Sequence, residues 1–457
     1  MGDPVKALAK HAVQCRYEDV SAEGLRFAKM SFLDTLGTII AGATAPGCQA
    51  VAERVLDWGG KPESSLFMYA GRVPAQQAAL VNAVMARAMD FDDSMDPGLH
   101  LSAAVIPAGL AMAERVGGVS GREFLAALAI AEDIGSRINS ATGLYHGFDP
   151  TLVASVYATT AIAGRLTQLN EEQMTNALGL AFNESSGSFQ SNIDGVLSVR
   201  FNQGLGAQAG IVCAEFAQDG LTGVVNVFNG VYGFFNLFSR GTQQAEHLTR
   251  DLGKTYYNNT TVYKRFPSCG CTLSATDSTL HLMQQHPFVP QDVARIIVRA
   301  GRHIYNLVGS PFKIGANPVV DAQFNVRYTV ANAIARQYPK LTHFTPAYIK
   351  DEALRELIAK VEVVLETEDP RFDTLAAEVT IILNNGEQFT HMTPHWKGHP
   401  LDPLSMEDIV PKFRDNVTFS SAWFDVRAAD DIVQLALEIE SCPDITTIIP
   451  YLKLLST

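Results

Sequence analysis

The 457-residue chain has little of what marks several large protein classes. No stretch reaches the roughly 18 consecutive apolar residues that a membrane-spanning helix needs, so no span is expected. Residues 1–20 are polar and carry Lys, His, Glu and Asp, which does not read as a secretory leader. There are six cysteines, at 15, 48, 213, 269, 271 and 442. Only Cys269 and Cys271 are close-set, and one such pair without a second is a weak zinc signal. Reduced, mostly buried thiols, no metal and no cofactor are therefore expected, in a cytoplasmic protein. Basic residues are also in the minority, with 35 Lys plus Arg against 48 Asp plus Glu and a net charge of −13. No basic stripe with interleaved aromatics occurs, so nucleic acid is not an expected partner. The glycine-rich stretch 204–210 lacks a following Gly-Lys-Ser/Thr and a preceding strand, which excludes a phosphate loop and leaves close helix packing as its reading. No internal repeat or low-complexity tail is present.

What remains is the composition of a globular protein, 47% hydrophobic and 18% charged, long enough for two or three domains. Residues 21–260 read as helix after helix. Ser21 can cap a helix over 25–43, Pro74 opens one over 75–89, and Ser120 to Glu123 forms a capping box before 124–138. Asn170 to Gln173 resembles another, before 174–182. From about residue 265 the pattern changes to β-branched alternation at 293–300, 360–366 and 377–383. The last of these runs into Asn384-Asn385-Gly386 and returns at 387–390, a hairpin signal. Helical pattern intervenes at 324–337 and 350–358, and Ser405 to Asp408 caps a final helical stretch. The expected fold class is mainly α with an α+β second domain: an all-helical domain over 1–267 and 393–457, and a smaller α+β domain over 268–392.

Five groups carry candidate chemistry. Asp90, Asp92 and Asp93 crowd into four residues, with Ser94 beside them and His100 following, between two alanine-rich segments that read as buried. Buried carboxylates cost several kcal/mol unless paired, so the group needs partners or a function, although one of the three also suits a turn cap. It runs on into 103–107, read as an apolar turn ending in Pro107. Tyr145 and His146 lie in a polar turn between apolar helices, a place as suited to plain surface as to function. Arg200 stands just before a glycine-rich helix, where guanidinium and helix N-terminus together could hold a carboxylate, and it also reads as a surface residue paired with a Glu. Lys264 and Arg265 lie at the inferred domain junction and suit an anionic ligand or simple solvation. Tyr328 could reach that junction, while its pattern favours core packing.

These motifs resemble the MmgE/PrpD family. The likeness runs from Leu33-Asp34-Thr35-Leu36-Gly37 to Lys412-Phe413. It rests on Met89-Asp90-Phe91-Asp92-Asp93, Gly147-Phe148-Asp149-Pro150-Thr151, Lys264-Arg265-Phe266-Pro267 and Asp321-Ala322-Gln323-Phe324. The family includes 2-methylcitrate dehydratases, cis-aconitate decarboxylases and iminodisuccinate epimerases. The resemblance implies a helical domain with a smaller α+β lid, a homodimer, and a metal-free cleft using Asp90, Ser94, His100, Lys264 and Tyr328.

The departures shape the functional expectation. Dehydrating and decarboxylating members tend to carry His where this chain has Asp149, Lys at Val199 and His at Asn202; Cys269 replaces a residue that is His in some members. The remaining set suits removal and return of a proton beside a carboxylate. The leading expectation is a cofactor-independent epimerase of an iminodisuccinate-like dicarboxylate. His100, oriented by Asp90, serves one face, and Tyr145, its pKa lowered by a nearby cation, serves the other, while Lys264, Arg200 and Arg265 supply the charge that stabilises the enediolate-like intermediate. Arg200, Ser94, Asp93, His146, Asp149, Asn202, Arg265 and Tyr328 are the expected substrate-binding residues. The alternative is a lyase, of the 2-methylcitrate dehydratase or cis-aconitate decarboxylase type.

Overall fold

The computed structural model describes residues 2–453, which divide into two compact units. The first comprises the chain up to Val262 and again from Ser405; the second is Tyr263–Leu404.

The first unit is helical. Its caps form as their side-chain chemistry dictates. Ser21 Oγ accepts from the Gly24 amide at the head of Ala22–Gly42, and Ser120 Oγ from the Glu123 amide at the head of Gly121–Thr142. Asn170 and Gln173 close a reciprocal capping box on Glu171–Glu184. Further helices span Ala75–Arg87, Ser102–Val116, Pro150–Leu166 and Ser198–Gln218. Ser102–Val116 is buried without interruption from Ser102 to Ala113, the mark of a helix packed on all sides. The stretch 103–107 is thus helix and not a turn, because packing around it outweighs the single backbone bond that Pro107 cannot make.

Small residues set the helix spacing. Ser198–Gln218 packs against both Ala75–Arg87 and Pro150–Leu166. A side chain at Gly204 would run into the Leu80 carbonyl, at Gly206 into Ser155 and at Gly210 into Thr159. The glycine-rich stretch is therefore a packing surface, and its close approach carries the first turns of Ser198–Gln218 toward the end of Ala75–Arg87. From the C-terminal side, Met406–Phe419 lies on Ala22–Gly42.

The second unit is built on a four-stranded sheet in the order Val361–Leu365, Val293–Ala300, Ala377–Leu383, Gln388–Thr393. The first pair is parallel and the other two antiparallel. Alternation decides the faces: Ala377, Val379, Ile381 and Leu383 point into the core with Ile296, Val298 and Ala300. The helix Gly270–Gln285 packs on the last two strands, where Ser278 meets Thr393 and His281 stacks on His391. Among the described residues, no helix is long and apolar enough to cross a membrane.

Candidate active site

The densest buried charge in the first unit lies where the helix Ala75–Arg87 ends. Arg87 is 7% exposed, and its Nη1 reaches Asp90 Oδ1 at 2.7 Å and Asp92 Oδ1 at 3.3 Å. Burial by itself would lower the Arg87 pKa, but Asp92 and Asp90 outweigh it and hold the guanidinium firmly charged. Asp90 adopts φ of 50°, a left-handed backbone that a residue with a Cβ takes only when its surroundings demand it. The ion pair to Arg87 three residues earlier is one such demand.

His100 faces the same group. Its Nδ1 lies 3.1 Å from Asp92 Oδ2 and its Nε2 3.4 Å from Arg87 Nη2. Both ends of its backbone are held as well. The His100 amide donates to Thr151 Oγ1 at 3.0 Å, and its carbonyl accepts from Gln203 Nε2 at 2.9 Å. With Nδ1 against a carboxylate, the neutral ring carries its hydrogen there, which leaves Nε2 as the atom that can take up and release a proton. Asp92 is thus a carboxylate that orients His100, and Asp90 accepts from Arg87.

Asp93 points elsewhere. Its Oδ2 accepts from the Ser102 hydroxyl at 2.8 Å, and the same hydroxyl lies 2.9 Å from Glu132 Oε1. One hydroxyl hydrogen cannot serve two carboxylates, so one of the two acids must hold a proton and donate it to Ser102. Burial, with Asp92 and Glu132 adding, pushes Asp93 up to about 8. Burial likewise pushes Glu132 up to about 7 against hydrogen bonds from Asn258, Ser102 and Ser31. Asp93 thus belongs to a buried acid pair in the core of the first unit.

The other expected residues divide. Asp149 caps Pro150–Leu166 by accepting from the Thr151 amide at 2.9 Å, and its second oxygen accepts from Asn202 Nδ2 at 2.9 Å. Asp149 adds to the field that keeps Arg87 charged, so it belongs to the same neighbourhood. Arg200 donates to the Pro46 carbonyl at 2.8 Å. Burial pulls its pKa below the ordinary value, Cys48 and Asp90 opposing and Arg87 adding, which puts this second cation within the field of the first. Ser94 is fixed by paired backbone bonds with Val262. Tyr145 and His146 are exposed. The Tyr145 ring packs edge-on to Phe148 and Phe189, and partial burial, with Asp149 adding, pushes its pKa up to about 12. This shift runs opposite to the expected lowering by a cation, and its main cause is burial.

In the second unit, Lys264 is buried. Arg265 pairs with Asp277 at 3.0 Å between the rings of Phe266 and Tyr338, so its charge already has a carboxylate partner. Tyr328 is fully buried between Phe312 and Phe344 and donates its hydroxyl to the His343 carbonyl. It packs in the core of the second unit, as its own sequence pattern favours, and its expected place beside substrate rests on the family resemblance. Among the described residues, no three His, Cys, Asp or Glu side chains group so as to hold a metal ion. Cys15, Cys48, Cys213 and Cys442 are free thiols.

Sequence reasoning missed Arg87, Thr151 and Gln203 as members of this site and placed Asp92 only as part of a cluster. A signal for Arg87 existed: it is the one charged residue in the alanine-rich helix Ala75–Arg87, three positions before Asp90.

Residues 6–247 match the MmgE/PrpD N-terminal domain and residues 266–438 the MmgE/PrpD C-terminal domain. The chain belongs to the MmgE/PrpD family. Curated relatives in the family extend the match over nearly the whole length. The cis-aconitate decarboxylase of Homo sapiens is 26% identical over 436 residues, covering 92% of this chain and 89% of that protein. The cis-aconitate decarboxylase-like protein oryM of Aspergillus oryzae is 25% identical over 476 residues, covering 99% and 98%. The cis-aconitate decarboxylase of Aspergillus terreus is 23% identical over 468 residues, covering 96% and 93%.

Proposed function

We propose that this chain is a lyase acting on a small tricarboxylic or dicarboxylic acid, with His100 moving a proton at the carbon beside a carboxylate. The observation that carries the reading is the His100 ring, held at Nδ1 by buried Asp92 with Nε2 turned to Arg87. The similarity to cis-aconitate decarboxylases supports the lyase alternative over the epimerase that the residues alone suggested. The cytoplasmic location, the homodimer and a role for Lys264 stay with the resemblance as parts of the proposal.

The chemistry follows from the geometry. In a decarboxylation, the carbon–carbon bond to the departing carboxylate breaks and carbon dioxide leaves. The electron pair stays on the α-carbon, which takes a proton from Nε2 of an imidazolium. Asp92 neutralises that imidazolium and fixes its orientation, as a buried carboxylate can do without itself being protonated. In a dehydration the same ring removes the α-proton, and a second group must protonate the leaving hydroxyl. Either substrate is a polyanion approaching a chain of net charge −13, so local cations must reverse the field. Arg200 supplies that reversal, since the charge of Arg87 is already shared by Asp90 and Asp92.

One observation favours the epimerase as a second reading. Asp149 and Asn202, which stand where the lyase members tend to carry His, are bonded to each other and leave the acid–base set thinner. Two assays separate the readings. Incubation with cis-aconitate or 2-methylcitrate should release carbon dioxide or form an unsaturated acid, and His100→Gln should slow that turnover by about 100- to 10,000-fold. Deuterium exchange at the α-carbon of iminodisuccinate, with no turnover of either tricarboxylate, would overturn the lyase and promote the epimerase.

A further inference from the structure

The loop from Met89 to His100 is held from a distance. Lys412, in the helix Met406–Phe419, is 6% exposed, and its Nζ lies 2.6 Å from Asp34 Oδ1, itself 1% exposed. The same ammonium donates to the Phe91 carbonyl at 2.7 Å and sits 4.1 Å from the centre of the Phe91 ring. We infer that the Asp34–Lys412 pair is a positioning device for the proton-transfer loop, acting through Phe91.

Three observations carry this. Phe91 stands between Asp90 and Asp92, the two carboxylates that grip Arg87, so fixing its carbonyl fixes the peptide joining them. The left-handed backbone of Asp90, one residue earlier, is unfavourable for a residue with a Cβ and needs outside ties. The ammonium on the next carbonyl is such a tie. Close helix approach also brings Lys412 to Asp34: a Cβ at Gly37, one turn on, would stand 3.0 Å from Asn416 Nδ2 and 3.1 Å from Phe413 Cδ2. A buried ion pair is a poor route to stability alone, because an apolar pair of like volume serves as well. Here its polar capacity is spent on a backbone carbonyl of the site. The Asp34 and Lys412 motifs that mark the two ends of the family resemblance thus meet at the loop between them.

The inference rests on the proposed role of His100 and Asp92, and the test keeps the two apart. Lys412→Met alone strands a buried carboxylate and risks the fold, so the decisive variant is Lys412→Met with Asp34→Leu, which removes both charges. Hydrogen exchange at residues 89–94 of the full-length protein should quicken by about 10-fold or more while exchange across Gly121–Thr142 stays as in the parent. On whichever tricarboxylate the parent turns over, kcat should fall by roughly 10- to 100-fold, since a loop displaced by about 1 Å costs that much. KM should stay within about 3-fold, because Arg200 lies outside the displaced loop. Unchanged exchange at 89–94 with parental kcat would overturn the inference. Loss of the fold in the double variant would overturn it as well, by making the pair a structural element of the two helices. A parent without turnover on either tricarboxylate would count against the functional reading, while the exchange result would still decide the anchor.

Discussion

Asp92 and Asp93 are adjacent, and both are buried. Asp92 faces a guanidinium and an imidazole; Asp93 faces a serine that it shares with another acid. The peptide between them therefore separates a region where a carboxylate is held charged from one where a proton must be retained. The difference teaches that burial alone does not decide whether an acid is ionised: the neighbour does. Of the two, it is Asp92 that lies against the His100 ring.

The largest effect should come from removing the cation on the charged side. Arg87→Met takes away the guanidinium that Asp90 and Asp92 share, and breaking such a buried arrangement costs about 3–5 kcal/mol. Urea unfolding should show the loss as a lower midpoint at unchanged slope. A midpoint equal to the parent's would mean that the two carboxylates do not depend on Arg87, and the contrast with Asp93 would fail.

The next effect is in pH dependence, on the other side of the peptide. Asp93 at about 8 and Glu132 at about 7 are raised above their unfolded values. Their contribution is complete below about pH 4, where the unfolded chain is also protonated, and is lost as pH rises through the folded values. Stability should therefore decline between pH 5 and about pH 8, and Asp93→Asn should flatten that decline by removing one of the two titrations. Equal slopes in parent and variant, measured at pH 5, 6.5 and 8, would remove the shared proton from the account.

How much of this was legible beforehand differs between the regions. Caps at Ser21, Ser120 and Asn170 and the alternation of 377–383 are local chemistry, and local chemistry is written in the sequence. The cluster at 90–93 and His100 announced themselves as charge between apolar helices. What the pattern could not divide was the cluster itself, because Thr151 and Gln203, which hold the backbone of His100 beside Asp92, and Glu132, which shares Ser102 with Asp93, come from distant helices. Arg87 was hidden for another reason. It ends a helix whose composition signals core, and arginine is among the residues least often fully buried. Tyr328 came to the site from the family resemblance while its own pattern favoured core packing, and one carbonyl, that of His343, accepts from its hydroxyl inside the core.

The smallest effect is expected at Tyr145. Its hydroxyl is held protonated, with the pKa pushed up to about 12 and Asp149 as its charged neighbour. Tyr145→Phe should change kcat by less than about 2-fold between pH 6 and 8, since a group that titrates so high transfers little near neutrality. A loss comparable to that of His100→Gln would restore Tyr145 as the second proton-transfer group.

The most direct measurement sets Asp92→Asn beside Asp93→Asn, assayed at pH 7 for kcat on the same tricarboxylate. Asparagine at 92 offers an amide to Nδ1 and forces the wrong tautomer on His100, so kcat should fall by about 100- to 10,000-fold. Asparagine at 93 replaces an acid that shares its proton with Glu132, and kcat should stay within about 3-fold of the parent. Equal losses in the two variants, or a larger loss at 93, would contradict the account.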